Sequence, residues 1–185
     1  MAKRALAIGD FHIPERADWV PRELEEEVAK EDYDLVFCTG DLTSEDVLAW
    51  LRGLAPEVHV VRGNMDYLRL PVQVVVAVEG LRVGVHHGTG VYPRGDLAKL
   101  ALKAKQLGVE VLVTGHTHYP QVAIVREQRV VVVNPGSATG VWGGDARASL
   151  TPSFATMEVS GGSLLVEVKE FKGSKFEVTR LEFHL

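Results

Sequence analysis

Cys38 is the only cysteine among 185 residues, which excludes an internal disulfide. It lies in the apolar run Leu35-Val36-Phe37-Cys38, where a small core residue is expected rather than a reactive thiol. No run of eighteen apolar residues occurs, so no membrane span is expected. Met1-Ala2-Lys3-Arg4 leads into a short strand instead of the apolar stretch of a signal peptide, and the expected setting is the cytoplasm. Positive charge is also scarce: 20 Lys and Arg stand against 25 Asp and Glu, a formal net charge of −5. There is no global basic field to attract a membrane or a nucleic-acid polymer, so an anionic ligand must be met by a local positive feature. Asparagine occurs twice and glutamine four times, a weak compositional mark of a thermophilic source. Linkers, repeats and low-complexity tracts are absent too, and a chain of this length is expected to form one domain over residues 1–185.

What is present is a repeated unit of an apolar strand ended by glycine and a polar residue. Arg4 to Ile8 is followed by Gly9-Asp10-Phe11-His12. Asp34 to Cys38 is followed by Thr39-Gly40-Asp41, and Glu57 to Val61 by Arg62-Gly63-Asn64-Met65-Asp66. The carboxyl ends of strands are where open α/β sheets place their ligands. Between these units, Arg22 to Lys30 reads as an acidic, exposed helix with Pro21 at its start, and Ser44 as the N-cap of a second helix striped by Val47, Leu48 and Leu51.

From Pro71 the texture changes. Val72 to Val78 and Leu81 to Val85 read as a hairpin through Glu79-Gly80, ending in His86-His87-Gly88. Adjacent strand residues face opposite sides, so at most one of this histidine pair points into a site. Asp96 to Leu107 is an amphipathic helix stopped by Gly108. Val109 to Val113 is a strand, and Thr114-Gly115-His116-Thr117-His118 follows; in an extended loop His116 and His118 would point the same way into one volume. A second strand pair, the turn Asn134-Pro135-Gly136-Ser137, a Gly-rich loop over 138–152 carrying Trp142, and three alternating strands complete the chain. This order, βαβαβ and then a mostly antiparallel half, predicts an α/β fold of two packed sheets with helices outside, a four-layer α/β/β/α sandwich.

Each strand-end residue alone could be a turn former or a core histidine. Together Asp10, His12, Asp41, Asn64, one of His86 or His87, His116 and His118 offer a mix of O and N donors that suits Mn²⁺, Fe, Ni²⁺ or Zn²⁺. Seven donors exceed one ion and suit two ions sharing a carboxylate. A closed structural zinc site would want cysteines that the chain lacks.

Asp10-x-His12, Gly40-Asp41, Gly63-Asn64-x-Asp66, His87-Gly88 and Gly115-His116-x-His118 resemble the five ordered motifs of the calcineurin-like metallophosphoesterases, in particular their small phosphodiesterase branch. The resemblance runs over nearly the whole chain, including Asn134-Pro135-Gly136-Ser137. It implies one metal held by Asp10, His12, Asp41 and His118, and another by Asp41, Asn64, His87 and His116. Asp41 would bridge them, His87 be chosen over His86, and Asp66 orient loop groups from behind. Asp41, Asn64 and His116 would also carry the catalysis. Two divalent ions are implied, manganese first, with nickel, iron, zinc or magnesium as alternatives. The implied reaction is hydrolysis of a small phosphodiester by a metal-activated hydroxide.

Three departures bear on the substrate. Met65 stands where many members have a histidine that serves the leaving group, and a thioether donates no proton. Thr89 stands where small relatives often have a second histidine, and Ala138-Thr139 replaces a common Pro-Arg. No motif-placed Arg or His outside the ligands is left for a monoester's extra charge. Diesters with good leaving groups are therefore expected to react slowly and monoesters weakly. The alternative is a non-catalytic interaction module, because the small subunit of the retromer sorting complex has the same architecture; self-association is left open.

Overall fold

The computed structural model describes residues 1–185. In chain order its elements are Lys3–Ile8 (β1), Arg22–Val28 (α1), Leu35–Cys38 (β2), Glu45–Arg52 (α2), Glu57–Val60 (β3), Gln73–Val78 (β4), Leu81–His86 (β5) and Leu97–Leu107 (α3). There follow Val111–Val113 (β6), Gln121–Val125 (β7), Val130–Asn134 (β8), Ser153–Ser160 (β9), Ser163–Phe171 (β10) and Phe176–His184 (β11).

Strands whose residues are apolar on both faces must be covered on both. In β1, Ala5 and Ala7 enter one core while Leu6 and Ile8 enter another. In β2, Leu35 and Phe37 divide from Val36 and Cys38 in the same way. Val111, Val113, Val131 and Val133 of β6 and β8 join the first core, and Leu112, Val130 and Val132 form a third with Leu100, Ala101 and Ala104 of α3. The shared core therefore lies between two sheets, the second under α1 and α2, and the third under α3. Four layers result, α/β/β/α, as the alternation of apolar residues predicts.

One sheet has the order β11-β10-β9-β1-β2-β3 and the other β4-β5-β6-β8-β7. The second half is mostly antiparallel, as expected, but the middle of the second sheet, β5-β6-β8, is parallel, and its edges β4 and β7 run the other way. The reason is α3, whose crossover returns the chain to lay β6 parallel to β5. The closing strands β9, β10 and β11 extend the first sheet, with β9 antiparallel to β1. Both sheets are thus mixed.

Two local expectations shift and one holds. The acidic helix α1 is not exposed throughout, because Leu24 and Val28 are fully buried, and Pro21 occupies its N-cap. Ser44 does cap α2, accepting the Asp46 N–H at 3.1 Å. Gly108 ends α3 in the left-handed region (φ 68°), so the predicted strand from Val109 begins only at Val111.

Candidate metal centre

Every strand-end unit singled out in the sequence arrives at the same end of the two sheets. Asp10 and His12 follow β1, Asp41 follows β2, Asn64 follows β3, His87 follows β5, and His116 and His118 follow β6. The backbone they ride on is not extended. Asp10, His12, Asp41, Thr43, His116 and His118 all have φ between 51° and 73°, the left-handed region. Such positions cost about 1–3 kcal/mol each and persist only where the surroundings over-determine them. This overturns the expectation that His116 and His118 aim together from an extended loop. His116 packs against His87 (ring centroids 5.0 Å apart) and His118 against His12 (4.9 Å). The two histidines serve different halves of one cluster.

The two carboxylates sit between these halves, and each has one oxygen already committed. Asp41 Oδ1 accepts the Met65 N–H at 2.8 Å, and Asp10 Oδ2 accepts the His116 N–H at 3.0 Å. Their other oxygens face inward. Asp41 Oδ2 lies 3.5 Å from His12 Nε2 and 3.3 Å from His87 Nε2. Asp10 Oδ1 lies 3.5 Å from His118 Nε2 and 4.0 Å from His87 Nδ1. Asp10, His12 and His118 form one set whose donor atoms lie within 4.8 Å of one another, and Asp10, Asp41 and His87 form a second.

The ring orientations are set by backbone carbonyls that sequence reasoning missed. His87 Nδ1–H donates to Thr39 O at 2.7 Å, and His118 Nδ1–H to Val141 O at 2.6 Å. In the neutral rings, Nε2 then carries a lone pair. His87 Nε2 faces Asn64 Oδ1 at 3.0 Å as well as Asp41, and His118 Nε2 faces His12 Nε2 at 3.1 Å. Asp10 Oδ1 and His12 Nδ1 are buried without a hydrogen-bond partner. Acceptors converging without hydrogens between them fit a cation. Protons are the substitute, and the titration of the cluster reflects that. Burial opposes charge on His87, yet the Asp41 hydrogen bond and the charges of Asp10 and Asp41 outweigh it and raise its pKa to about 9. Burial likewise pushes Asp41 up, but His87 and the Met65 N–H bring it down to about 2. His12 and His116 are lowered to about 4, mainly by burial.

A second ring of groups holds the ligand loops. Asp66 accepts the N–H groups of Asp41 and Gly63 on Oδ2 (both 2.8 Å) and of Thr43 on Oδ1 (3.0 Å). Gly63 has to be glycine, because a Cβ there would stand 2.0 Å from Asp41 Oδ1. The Asn134-Pro135-Gly136-Ser137 turn acts at a distance that its sequence does not disclose. Asn134 Nδ2 donates to Gly115 O (3.1 Å), Ser137 Oγ to Asp10 O (2.7 Å), and Thr139 Oγ1 to Phe11 O (2.8 Å). His86 points away from the cluster and accepts the Gly88 N–H on Nδ1 at 3.0 Å. His59 stacks on Phe37 outside it.

The structure also brings positive side chains to the rim that no motif placed. Arg16 Nη1 donates to Trp142 O (3.0 Å), and Arg94 Nη1 to Gly143 O (2.7 Å). Met65 is partly exposed and meets the centre through its backbone N–H.

Comparison with known proteins shows the family. Residues 4–162 match the calcineurin-like phosphoesterase superfamily domain. A probable metallophosphoesterase of Methanocaldococcus jannaschii is 42% identical over 132 residues, 71% of this chain and 66% of that protein. The matched part is therefore just under two thirds of that relative's length. Wild-type Vps29 of Entamoeba histolytica complexed with zinc has a TM-score of 0.85 at 32% identity, with 97% of this chain and 98% of that one covered. Vps29 of Chaetomium thermophilum complexed with a cyclic peptide gives 0.80 at 30% identity, with 99% and 96% covered. No helix is long and apolar enough to cross a membrane. The chain belongs to the calcineurin-like phosphoesterase superfamily.

Proposed function

We propose that the protein is a dinuclear metal-dependent phosphodiesterase. The observation that carries this reading is Asp41 Oδ2, a single buried oxygen within 3.5 Å of imidazole nitrogens from both halves of the cluster. Asp10, His12, Asp41 and His118 would hold one ion, and Asp41, Asn64, His87 and His116 the other. Asp10 Oδ1 stands near both halves as well, but it is nearer to His118. Nitrogen and oxygen donors without sulfur suit Mn²⁺, Fe²⁺, Ni²⁺ or Zn²⁺, and the family resemblance puts manganese first, with magnesium also possible.

Such ions, when bound, would supply Lewis-acid chemistry and a water whose pKa is lowered towards ~7. The protein's part is orientation. Thr39 O and Val141 O turn His87 and His118 so that Nε2 faces inward, and such outer partners are worth roughly 10–100-fold in metal affinity or activity. Asp66 fixes the backbone on either side of Asp41. Met65 supplies no proton to a leaving group, so simple aryl diesters react more readily than alkyl ones.

The test is to strip the protein of metal, restore Mn²⁺, Ni²⁺, Mg²⁺ or Zn²⁺ one at a time, and screen phosphodiesters and monoesters. Hydrolysis of bis(p-nitrophenyl) phosphate that returns with metal supports the proposal. A second reading, a protein-interaction module, is favoured by the solved neighbour that holds a cyclic peptide. Full metal loading with no hydrolysis of any ester would select it.

A further inference from the structure

The Gly-rich loop after β8 is pinned through three successive carbonyls. Val141 O accepts from His118 Nδ1, Trp142 O from Arg16 Nη1, and Gly143 O from Arg94 Nη1. Gly143 lies so close to the His118 ring that a Cβ would stand 2.5 Å from it. The loop is thus a strap across the first half of the centre, with one guanidinium tied to each of two neighbouring residues. Both arginines stand at the His12–His118 half: the His12 carbonyl accepts the Arg16 N–H at 2.8 Å, and Arg94 reaches Gly143, the residue packed on the His118 ring. Beside the strap opens a cleft of about 500 Å³ lined by Arg16, Val141, Trp142, Gly143 and Gly144.

A guanidinium has five N–H donors, and each of these arginines gives only one nitrogen to the strap. Neither forms an ion pair with a carboxylate; in this loop it is Arg147 that takes Asp145, at 2.9 Å. Arg94 lies close enough to Asp145 to lower its pKa, but Asp145 is already held by Arg147, so most donors of both guanidiniums stay uncommitted. A chain of net charge −5 otherwise keeps little positive charge for an anion.

We propose that Arg16 and Arg94 form an anion clamp that selects phosphate esters bringing a second negative charge to the centre, beyond the single charge of a simple diester. This rests on the phosphodiesterase reading and refines it: the arginines meet a second negative charge on or beside the phosphate, so a dianionic monoester probes their binding even where its turnover is slow. Charge-assisted bonds from a planar fork give this kind of discrimination, and a lysine reproduces the charge but not the fork. Binding of the second charge and departure of the leaving group are then governed by different residues, the arginines and the position of Met65.

The test uses binding alone, so it is read whether or not the protein turns over. The metal-loaded parent, Arg16→Met, Arg94→Met, Arg16→Lys and, as a remote charge control, Arg126→Met are titrated with phenyl phosphate and with diphenyl phosphate. Metal content is measured on each sample. Each Arg→Met change in the clamp is expected to weaken phenyl phosphate roughly 10- to 100-fold and diphenyl phosphate less than about threefold, with metal content unchanged. Arg16→Lys should recover part of the loss, and Arg126→Met should match the parent. Equal losses for both ligands, no loss for either, or losses that follow metal content would overturn the clamp and leave the arginines as supports of the strap. A parent that binds phenyl phosphate but hydrolyses no ester would defeat the phosphodiesterase reading while leaving the clamp intact.

Discussion

Around His12 and His118 the centre is dry: Asp10, His12 and His118 are at most 2% exposed, and the strap carbonyl of Val141 closes over the outer ring. The other half has an open edge: His87 is only 1% exposed, but His116 is half-buried and Asn64 exposed. The same strand-end placement thus yields a sealed half and a half with an exposed edge. A closed set of donors suits an ion that stays, whereas an open one keeps a position for water and substrate. The difference points to the second half as the entry side and the first as the anchor.

The largest effect is expected where the halves meet. Asp41→Ala should lower bound metal below two per chain and reduce metal-dependent hydrolysis on the order of 10³-fold or more, read by elemental analysis and rate. A variant that keeps two tightly bound ions would break the bridging assignment. Within the open-edged half, His87→Ala should cost roughly 10²-fold in activity, and His86→Ala only a few-fold, because His86 faces away and caps the Gly88 N–H. Equal effects would overturn the choice between these neighbours.

Met65→His should restore part of a general acid's contribution of ~10²–10⁴-fold, and the gain should grow as the leaving group becomes more basic. A flat response across leaving-group pKa would mean that another group already supplies the proton. The contrast between the sealed and the open-edged half itself predicts two phases of metal release to a chelator, the fast one abolished by Asn64→Ala and the slow one by His118→Ala. Release in a single phase from the parent would erase the distinction.

The smallest effect concerns protons. His87 is protonated at neutral pH without metal, since its pKa is raised to about 9, and a ligand imidazole must be neutral. Metal uptake at pH 7 should therefore release a proton, detectable by calorimetry in buffers of different ionisation enthalpy. The sign also holds for stability. A raised histidine pKa stabilises the metal-free fold fully below the ordinary value of about 6.5, and that contribution is lost as pH rises through about 9. His12 and His116 are shifted the other way, so their effect appears as pH falls from about 6.5 through about 4. Metal-free melting temperatures that rise between pH 7 and 9 would contradict the assignment for His87.

The sequence by itself determined the layers and the whereabouts of the chemistry. Runs such as Leu35 to Cys38 are apolar on both faces, so they had to be central strands covered on both sides. The glycine-led polar residues that end them had to gather at one end of the sheets, and all seven do. Only the tertiary structure decided how those residues face one another. His116 and His118 have left-handed backbone, the His116 N–H donating to Asp10 and the His118 ring to Val141 O, so spacing alone suggested a shared aim that the fold does not have. The roles of Thr39 O, Ser137 and Thr139 were hidden because a backbone carbonyl has no signature in sequence and a hydroxyl's partner can be any residue. Arg16 and Arg94 were hidden for a related reason: their bonds to the strap span 126 and 49 residues, and nothing local at either end announces the other. Local pattern determines which surfaces must be buried, whereas contacts between segments far apart in the chain exist only once the sheets have packed.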